Sequence, residues 1–317
     1  MSTHSKWEDL PTEAINPVSL AIDKTPVPDI VEMMSGEDRK VVNAVLREKD
    51  HIAHGVQIIV QAIRKGGRVM LVGAGTSGRL GVVEAAEMPP TFGTPPSLVQ
   101  AVMAGGQGAM FRAREGVEDN FEEGARSAAR LRVSQRDVLI GVSASGLTPF
   151  VRGALTRARR SGAKIIFVTC WPKTELQDVV DLVIAPAVGP EIIAGSTRLK
   201  AGTATKMVLN MLTTISMIKV GKTYGNLMVD VQTSSEKLKD RARRILGVVA
   251  GLSYEAADAL LRRARWNVKA AIVMEKRRCT YAQAVKLLRQ ADDSIREAIG
   301  EDIEPRLREL LKPKDAG

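Results

Sequence analysis

The stretch that most limits what this chain can fold into is RVMLVGAGTSGRLGVVEAAEMPPTFG, residues 68–93. Val69 to Val72 is a short apolar run led by β-branched residues, which predicts a strand buried on both faces, as in a parallel sheet. Gly73-Ala74-Gly75-Thr76-Ser77-Gly78 follows at once. Its glycines let amides approach an anion, Thr76 and Ser77 offer hydroxyl donors, and a helix expected from about Arg79 points its positive end at the same spot. Gly75, Thr76 and Ser77 are therefore candidate phosphate ligands. Pro89 and Pro90 are expected to stop the helix, which puts Glu87 in or just past its last turn. There, unpaired carbonyls and Glu84 one turn back both disfavour a charged carboxylate.

The pattern Gly73-x-Gly75-x-x-Gly78 also fits a dinucleotide fingerprint, but a lone match is weak. The adjacent hydroxyls crowd a turn that a pyrophosphate needs bare. The ribose-binding acid expected about twenty residues on is replaced by Pro89-Pro90-Thr91-Phe92-Gly93 and Pro95-Pro96. A simple strand-to-helix turn without a ligand stays open for any single loop of this kind.

A second such loop weighs against that plain reading. Asp137 to Ser143 predicts another strand, and it runs into Ser143-Ala144-Ser145-Gly146-Leu147-Thr148-Pro149. Two hydroxyl-rich turns can converge at one sheet edge, which adds Ser143, Ser145, Gly146 and Thr148 as candidate ligands. For each hydroxyl the alternative is a local cap, Thr148 before Pro149 above all. Further strands are expected at Ser97 to Ala104, Lys164 to Thr169 and Leu182 to Ala185, with helices between them. Residues 111–131 are expected to be largely helical. The fold class that follows is α/β: an open parallel sheet of about five strands with helices on both faces, ligands binding at the carboxyl ends of the strands.

Residues 191–206, EIIAGSTRLKAGTATK, lead into an apolar helix over 207–220. Ser196 or Thr197 suits a helix cap; alternatively Ser196, Thr197 and Lys200 close over the same ligand. Three domains are expected. Residues 1–36, with Pro11, Pro17, Pro26 and Pro28, form an extended arm. Residues 37–235 form the sheet domain, opening on one long amphipathic helix from Glu37 to Lys65. Residues 236–317 form a small helical bundle, divided by Gly251, Asn267 and the capping box Thr280-x-x-Gln283, with Trp266 and Tyr281 in its core.

Composition excludes several classes of chemistry. The apolar stretch 207–220 is too short and too polar to span a bilayer, and MSTHSKWEDLPTE lacks an apolar signal core, so a cytoplasmic protein with no membrane partner is expected. Only His4, His51 and His54 are present, and Cys170 and Cys279 have no metal-ligand spacing. A zinc site, a disulfide or a histidine-based triad is not expected. The net charge is +10, and from Glu236 onward 19 Lys and Arg stand against 13 Asp and Glu. Because these charges interleave along helical segments, they read as a solvated surface and no nucleic acid partner is expected.

The two hydroxyl-rich loops on a parallel sheet resemble the sugar isomerase domain, which binds phosphosugars. GAGTSGRLG followed by AEMPPTFG, EGVED, SASGLTP, GSTRLKAGTATK and the opening TEAINP together resemble the N-acetylmuramic acid 6-phosphate etherase family, over roughly residues 10 to 245. The C-terminal segment is similar in position and size to that family's helical tail, which resembles ubiquitin-associated domains. The resemblance implies a lyase that removes D-lactate from N-acetylmuramic acid 6-phosphate in cell-wall recycling. It implies a homodimer and neither metal nor redox cofactor. Its two acid/base glutamates fall on Glu87 and Glu118, with Glu87 the acid toward the lactyl oxygen and Glu118 the base at C2. The chain departs from the family at Leu147 and Ile15, each an arginine there, and at Met88, a cysteine there. Two other classes stand beside the lyase. One is a noncatalytic phosphosugar sensor like the glucokinase regulatory protein, against which both glutamates argue. The other is a DNA-binding regulator, for which the proline-spaced N-terminus supplies no helix-turn-helix.

Overall fold

The computed structural model describes residues 10–173, 176, 178–233 and 235–312. The first nine residues of the expected arm and the last five of the expected bundle lie outside the described residues. The chain divides into two compact units: Met1–Ala86 with Pro96–Ser216, and Glu87–Pro95 with Met217–Gly317.

The first unit opens with α1 (Val27–Arg47) and α2 (Lys49–Arg64). Both bounds correct the expectation. Pro26 and Pro28 do not prolong an extended arm but sit at the N-cap and in the first turn of α1, where the missing N–H of proline costs nothing. The single long helix is broken at Glu48, whose carboxylate accepts the amide of Ala185 at 3.0 Å.

Then come β1 (Val69–Gly73), α3 (Gly75–Phe92), β2 (Val99–Met103), α4 (Gly108–Phe111), α5 (Phe121–Arg130), β3 (Val138–Val142), α6 (Pro149–Arg160), β4 (Lys164–Val168), β5 (Leu182–Ile184) and α7 (Lys200–Lys219). The strands pair in the order β2-β1-β3-β4-β5, all parallel. Every residue of β1 and β3 is buried, as a parallel sheet covered on both faces requires. On one face Met70, Val72, Leu139, Ile165 and Phe167 pack with Phe150, Val151, Ala154 and Leu155 of α6. On the other, Gly81 of α3 lies over Leu71, while Gly55 of α2 nests among Leu212, Leu182 and Ile184. The α/β class with about five strands and helices on both faces is therefore the observed one.

Two helical expectations change. α3 starts at Gly75 and runs through Pro89 and Pro90 to Phe92. The two prolines remove the amides that would bond the carbonyls of Ala85 and Ala86, yet the helix persists: Met88 and Phe92 are buried, and the amide of Gly93 closes the last turn on Pro89 O at 3.0 Å. Glu87 is thus a full turn inside the helix rather than at its end. The 111–131 segment is interrupted, because Gly116 takes φ +77° ahead of a 3-10 turn (Val117–Asp119), and the Asn120 side chain then caps α5 by accepting the amide of Glu123.

Among its described residues the second unit holds a two-residue antiparallel ladder, β6 (Thr223–Tyr224) with β7 (Leu227–Met228), and the helices α8 (Glu236–Ala250), α9 (Tyr254–Arg263), α10 (Val268–Arg277), α11 (Tyr281–Gln290), α12 (Ile295–Ile299) and α13 (Glu304–Leu310). The capping box at Thr280 and Gln283 is present. Leu246, Leu261, Ile272, Val273 and Ile295 are its fully buried centre, and Trp266 and Tyr281 pack against it half-buried. Among the described residues no helix is long and apolar enough to cross a membrane.

Candidate active site

A cavity of about 380 Å³ opens at the carboxyl ends of β1 and β3. Its floor is Ala74, Gly75, Thr76 and Ser77, which lead into and begin α3, and Ser143, Ala144, Ser145 and Thr148, which precede α6. Both helices start here because each strand is followed by residues that free the backbone: Gly75 adopts φ +52°, and Pro149 presets the first turn of α6. Two positive helix ends and five hydroxyls therefore face one small volume.

The second loop is pre-shaped by its own hydroxyls. Ser143 Oγ accepts the amide of Gly146 at 3.1 Å and is hydrogen-bonded to Thr148 Oγ1 at 2.7 Å; Ser145 Oγ accepts the amide of Leu147 at 3.4 Å. The local-cap reading and the ligand reading thus coexist in the same side chains. Gly146 does not line the cavity. It takes φ +78° behind the loop, where a Cβ would lie 3.2 Å from Thr169 Oγ1 and 3.2 Å from the Trp171 ring. Its part is to set the turn.

Glu118 lines the cavity from the 3-10 turn, together with Glu115 and Arg114. Neither Glu118 nor Glu13 meets a cation or a hydrogen-bond donor among the described residues, so both carboxylates are available to a ligand. The two nearby cations are engaged elsewhere: Arg79 donates to the carbonyls of Ala109 and Met110, and Arg114 donates to that of Gly105. Both guanidinium groups line the cavity and keep their charge, so amides, hydroxyls, helix ends and these two cations together suit an anion.

The third motif divides. Thr197, Gly202 and Thr205 line the cavity, whereas Ser196 and Lys200 do not. Lys200 is buried with its ammonium on Glu37. Ser196 and Thr197 do not cap α7 either: the carboxylate of Glu191, fully buried, accepts the amides of Lys200 and Ala201 at 2.9 and 2.8 Å. Behind this cap, burial and the Glu191 charge push the Cys170 thiol up to about 12. Cys170 and Cys279 are both free, and Cys170 stays protonated and inert.

Glu87 is exposed and is not among the cavity's lining residues; it falls in the second compact unit. Glu84 is buried and accepts hydrogen bonds from Asn210 and Thr213, so it ties α3 to α7. The residues that single-loop reasoning missed are Glu13, Arg79, Arg114, Glu115 and Thr205. Glu13 and Thr205 sit within TEAINP and GSTRLKAGTATK, so the motifs were visible while the individual side chains were not. Glu13 reaches the cavity because a strap holds it there. The amide of Gly195 donates to Thr12 O at 3.0 Å, Asn16 donates to Pro190 O at 3.0 Å, and Ser19 donates to Ile192 O at 2.7 Å.

Comparison with known proteins places the chain in a family. Residues 51–159 match the model of the glucokinase regulatory protein N-terminal SIS domain, and residues 117–215 match that of the SIS domain. The N-acetylmuramic acid 6-phosphate etherase of Salinibacter ruber is 48% identical over 95% of this chain and 97% of its own length. That of Trichormus variabilis is 48% identical over 91% and 94%, and that of Geobacillus thermodenitrificans 46% over 92% and 99%. Among solved structures, a phosphoheptose isomerase from Francisella tularensis is 20% identical over 61% of this chain and 99% of its own, with a TM-score of 0.48. At this identity over nearly the whole length, the chain belongs to the N-acetylmuramic acid 6-phosphate etherase family.

Proposed function

We propose that the chain is a lyase that converts N-acetylmuramic acid 6-phosphate to N-acetylglucosamine 6-phosphate and D-lactate, with the cavity holding the phosphate end of the sugar. The observation that carries this reading is the joint placement of Thr76, Ser77, Ser143, Ser145 and Thr148 on two helix starts, with the unpartnered carboxylate of Glu118 lining the same cavity. Hydroxyls and amides at helix N-termini suit a phosphate dianion, and a free carboxylate next to it suits proton transfer at carbon.

The chemistry is elimination followed by hydration. With the ring open, the aldehyde at C1 acidifies the proton at C2, which Glu118 removes. The electron pair forms the C2–C3 double bond as the C3–O bond breaks, and the departing lactyl oxygen takes a proton from Glu87. Water then adds its oxygen at C3 and a proton returns to C2, restoring both glutamates. One carboxyl starts ionised and one protonated. Glu87 enters on the strength of the AEMPP motif, and Gly75, Thr197 and the neighbouring Thr205 complete the wall around the substrate.

The enzyme works as a cytoplasmic homodimer in this proposal. Support comes from exposed apolar side chains on α1 and the segment before it: Ile15, Val18, Leu20, Val27, Val31 and Met34 are all open to solvent, a concentration that marks an interaction surface. The helix over 207–220 is in contrast occupied, with Val208, Leu209 and Leu212 buried. Sedimentation at micromolar concentration is expected to give a dimer, and a lone monomer would contradict it. The substrate assignment is tested by comparing N-acetylmuramic acid with its 6-phosphate. Lactate should be released from the phosphorylated sugar alone, and equal turnover of both would remove the phosphate cradle.

A further inference from the structure

The second unit, which includes the stretch that bears Glu87, carries an ionic cluster built on a buried lysine. Lys269 of α10 has only 3% of its side chain exposed and directs its ammonium to Asp230 Oδ2 at 3.1 Å. Lys222 reaches the same oxygen at 2.7 Å, and Asp293 lies 3.9 Å from Lys269. Burying an ammonium is expensive unless its partner is fixed. Two lysines on one carboxylate oxygen hold the Asp230 side chain in place.

The backbone of Asp230 is in turn what the end of α3 rests on. Gly93 adopts φ +62°, and a Cβ there would lie 2.3 Å from the carbonyl oxygen of Asp230. No side chain fits between them, so the two main chains are in direct contact. Met88 and Phe92, on the same short stretch, are 3% and 4% exposed.

Glu87 needs such a support. Its carboxylate is exposed and makes no hydrogen bond or ion pair among the described residues, so nothing at its own tip orients it. Its helix is weakest at this point, because Pro89 and Pro90 leave the carbonyls of Ala85 and Ala86 without helical donors. A turn with two missing hydrogen bonds holds its direction only if something outside the helix holds it.

We propose that Asp230, clamped by Lys222 and Lys269, is a positioning residue for Glu87: the helical unit fixes the backbone of residues 87–95 and thereby the direction of the Glu87 carboxyl. This rests on the role of Glu87 proposed above. The helical tail then belongs to the catalytic apparatus, acting on proton donation to the leaving group and not on the phosphate cradle.

The test is Asp230→Asn, which keeps the shape and removes the charge, with Lys222→Met as a milder second variant because Lys222 is partly exposed. Each is assayed as the full chain beside the wild type. The expected result is a fall in kcat for lactate release of about 10- to 100-fold, the size that small displacements of a catalytic group produce, with KM changed less than about threefold. Exchange of solvent deuterium into C2, which depends on Glu118, should persist, and amide hydrogen exchange over 87–95 should quicken. If both variants fold and release lactate at the wild-type rate, or if lactate release and C2 exchange fall in parallel, the positioning role is overturned. Absence of lactate from the wild type would overturn the etherase reading itself, which separates the two failures.

Discussion

The ammonium of Lys200 is paired with Glu37, 163 positions away in the chain, and both side chains are almost wholly buried. The charge that Lys200 of the GSTRLK motif would offer to a ligand is therefore spent inside the fold. It joins the start of α7 to α1, and through Asn16, which also donates to Glu37, to the strap that carries Glu13.

Breaking this pair should cost stability more than affinity. Lys200→Met leaves Glu37 buried beside only Lys40 and Asn16, and removing one partner of a buried pair typically costs about 3–5 kcal/mol. Urea unfolding at neutral pH should show this loss, while KM for the phosphosugar changes much less. A large KM increase without loss of stability would return Lys200 to the substrate site.

The same pair sets an acid limit. Burial pushes the Glu37 carboxyl up, but the hydrogen bonds from Lys200, Lys40 and Asn16 outweigh it and hold the group at about 2, against an ordinary 4.5. A carboxyl depressed in the folded state stabilises fully above its unfolded value, so this contribution, on the order of 3 kcal/mol, is present above about pH 4.5 and lost as pH falls toward about 2. Unfolding free energies measured down this window should fall steeply in the wild type and less steeply in Glu37→Gln. Equal slopes would mean that Glu37 is not the group responsible.

The hydroxyl cradle is tested by Ser143→Ala with Ser145→Ala. Hydrogen bonds to a charged group are worth about 1.5–3 kcal/mol each, so the pair should raise KM at least about tenfold while kcat moves little. Ser143 also accepts the amide of Gly146, so circular dichroism is needed to show that the loop change has not unfolded the domain. An unchanged KM would move the phosphate elsewhere.

The close crossing of α5 and α6 makes a purely structural prediction. A Cβ at Gly124 would lie 1.9 Å from Phe150 O, and one at Gly153 would lie 2.0 Å from Phe121 O. Gly124→Ala or Gly153→Ala should therefore force the helices apart, at a cost of about 1–3 kcal/mol. A melting temperature equal to the wild type would contradict the packing.

The sheet and the floor of the cavity were legible in the sequence because their signals are local. Short apolar runs at 69–72 and 138–142, with Val and Ile prominent in them, fit a strand buried on both faces of a parallel sheet, and a strand that ends in glycines and hydroxyls before a helix leaves amides facing outward. What stayed hidden depends on partners remote in sequence. Nothing near Lys200 announces Glu37, and nothing near Gly124 announces the carbonyl of Phe150. Glu13 is brought to the cavity by hydrogen bonds with residues 190–195 that no spacing rule encodes. Prolines misled twice, at the start of α1 and within α3. Proline forbids a hydrogen bond but not a helix: the first turn needs no such bond, and buried Met88 and Phe92 help hold the second.

The measurement that bears most directly on the central claim is lactate release from N-acetylmuramic acid 6-phosphate in deuterated solvent by wild type, Glu118→Gln and Glu87→Gln. The wild type should release D-lactate and place solvent deuterium at C2. Glu118→Gln should lose both. Glu87→Gln should bind the phosphosugar and exchange C2 while losing lactate release by about 10²- to 10⁴-fold, the range that general acid–base catalysis supplies. Undiminished lactate release by either variant would remove that glutamate from the mechanism, and a wild type that binds the phosphosugar without releasing lactate would contradict the account.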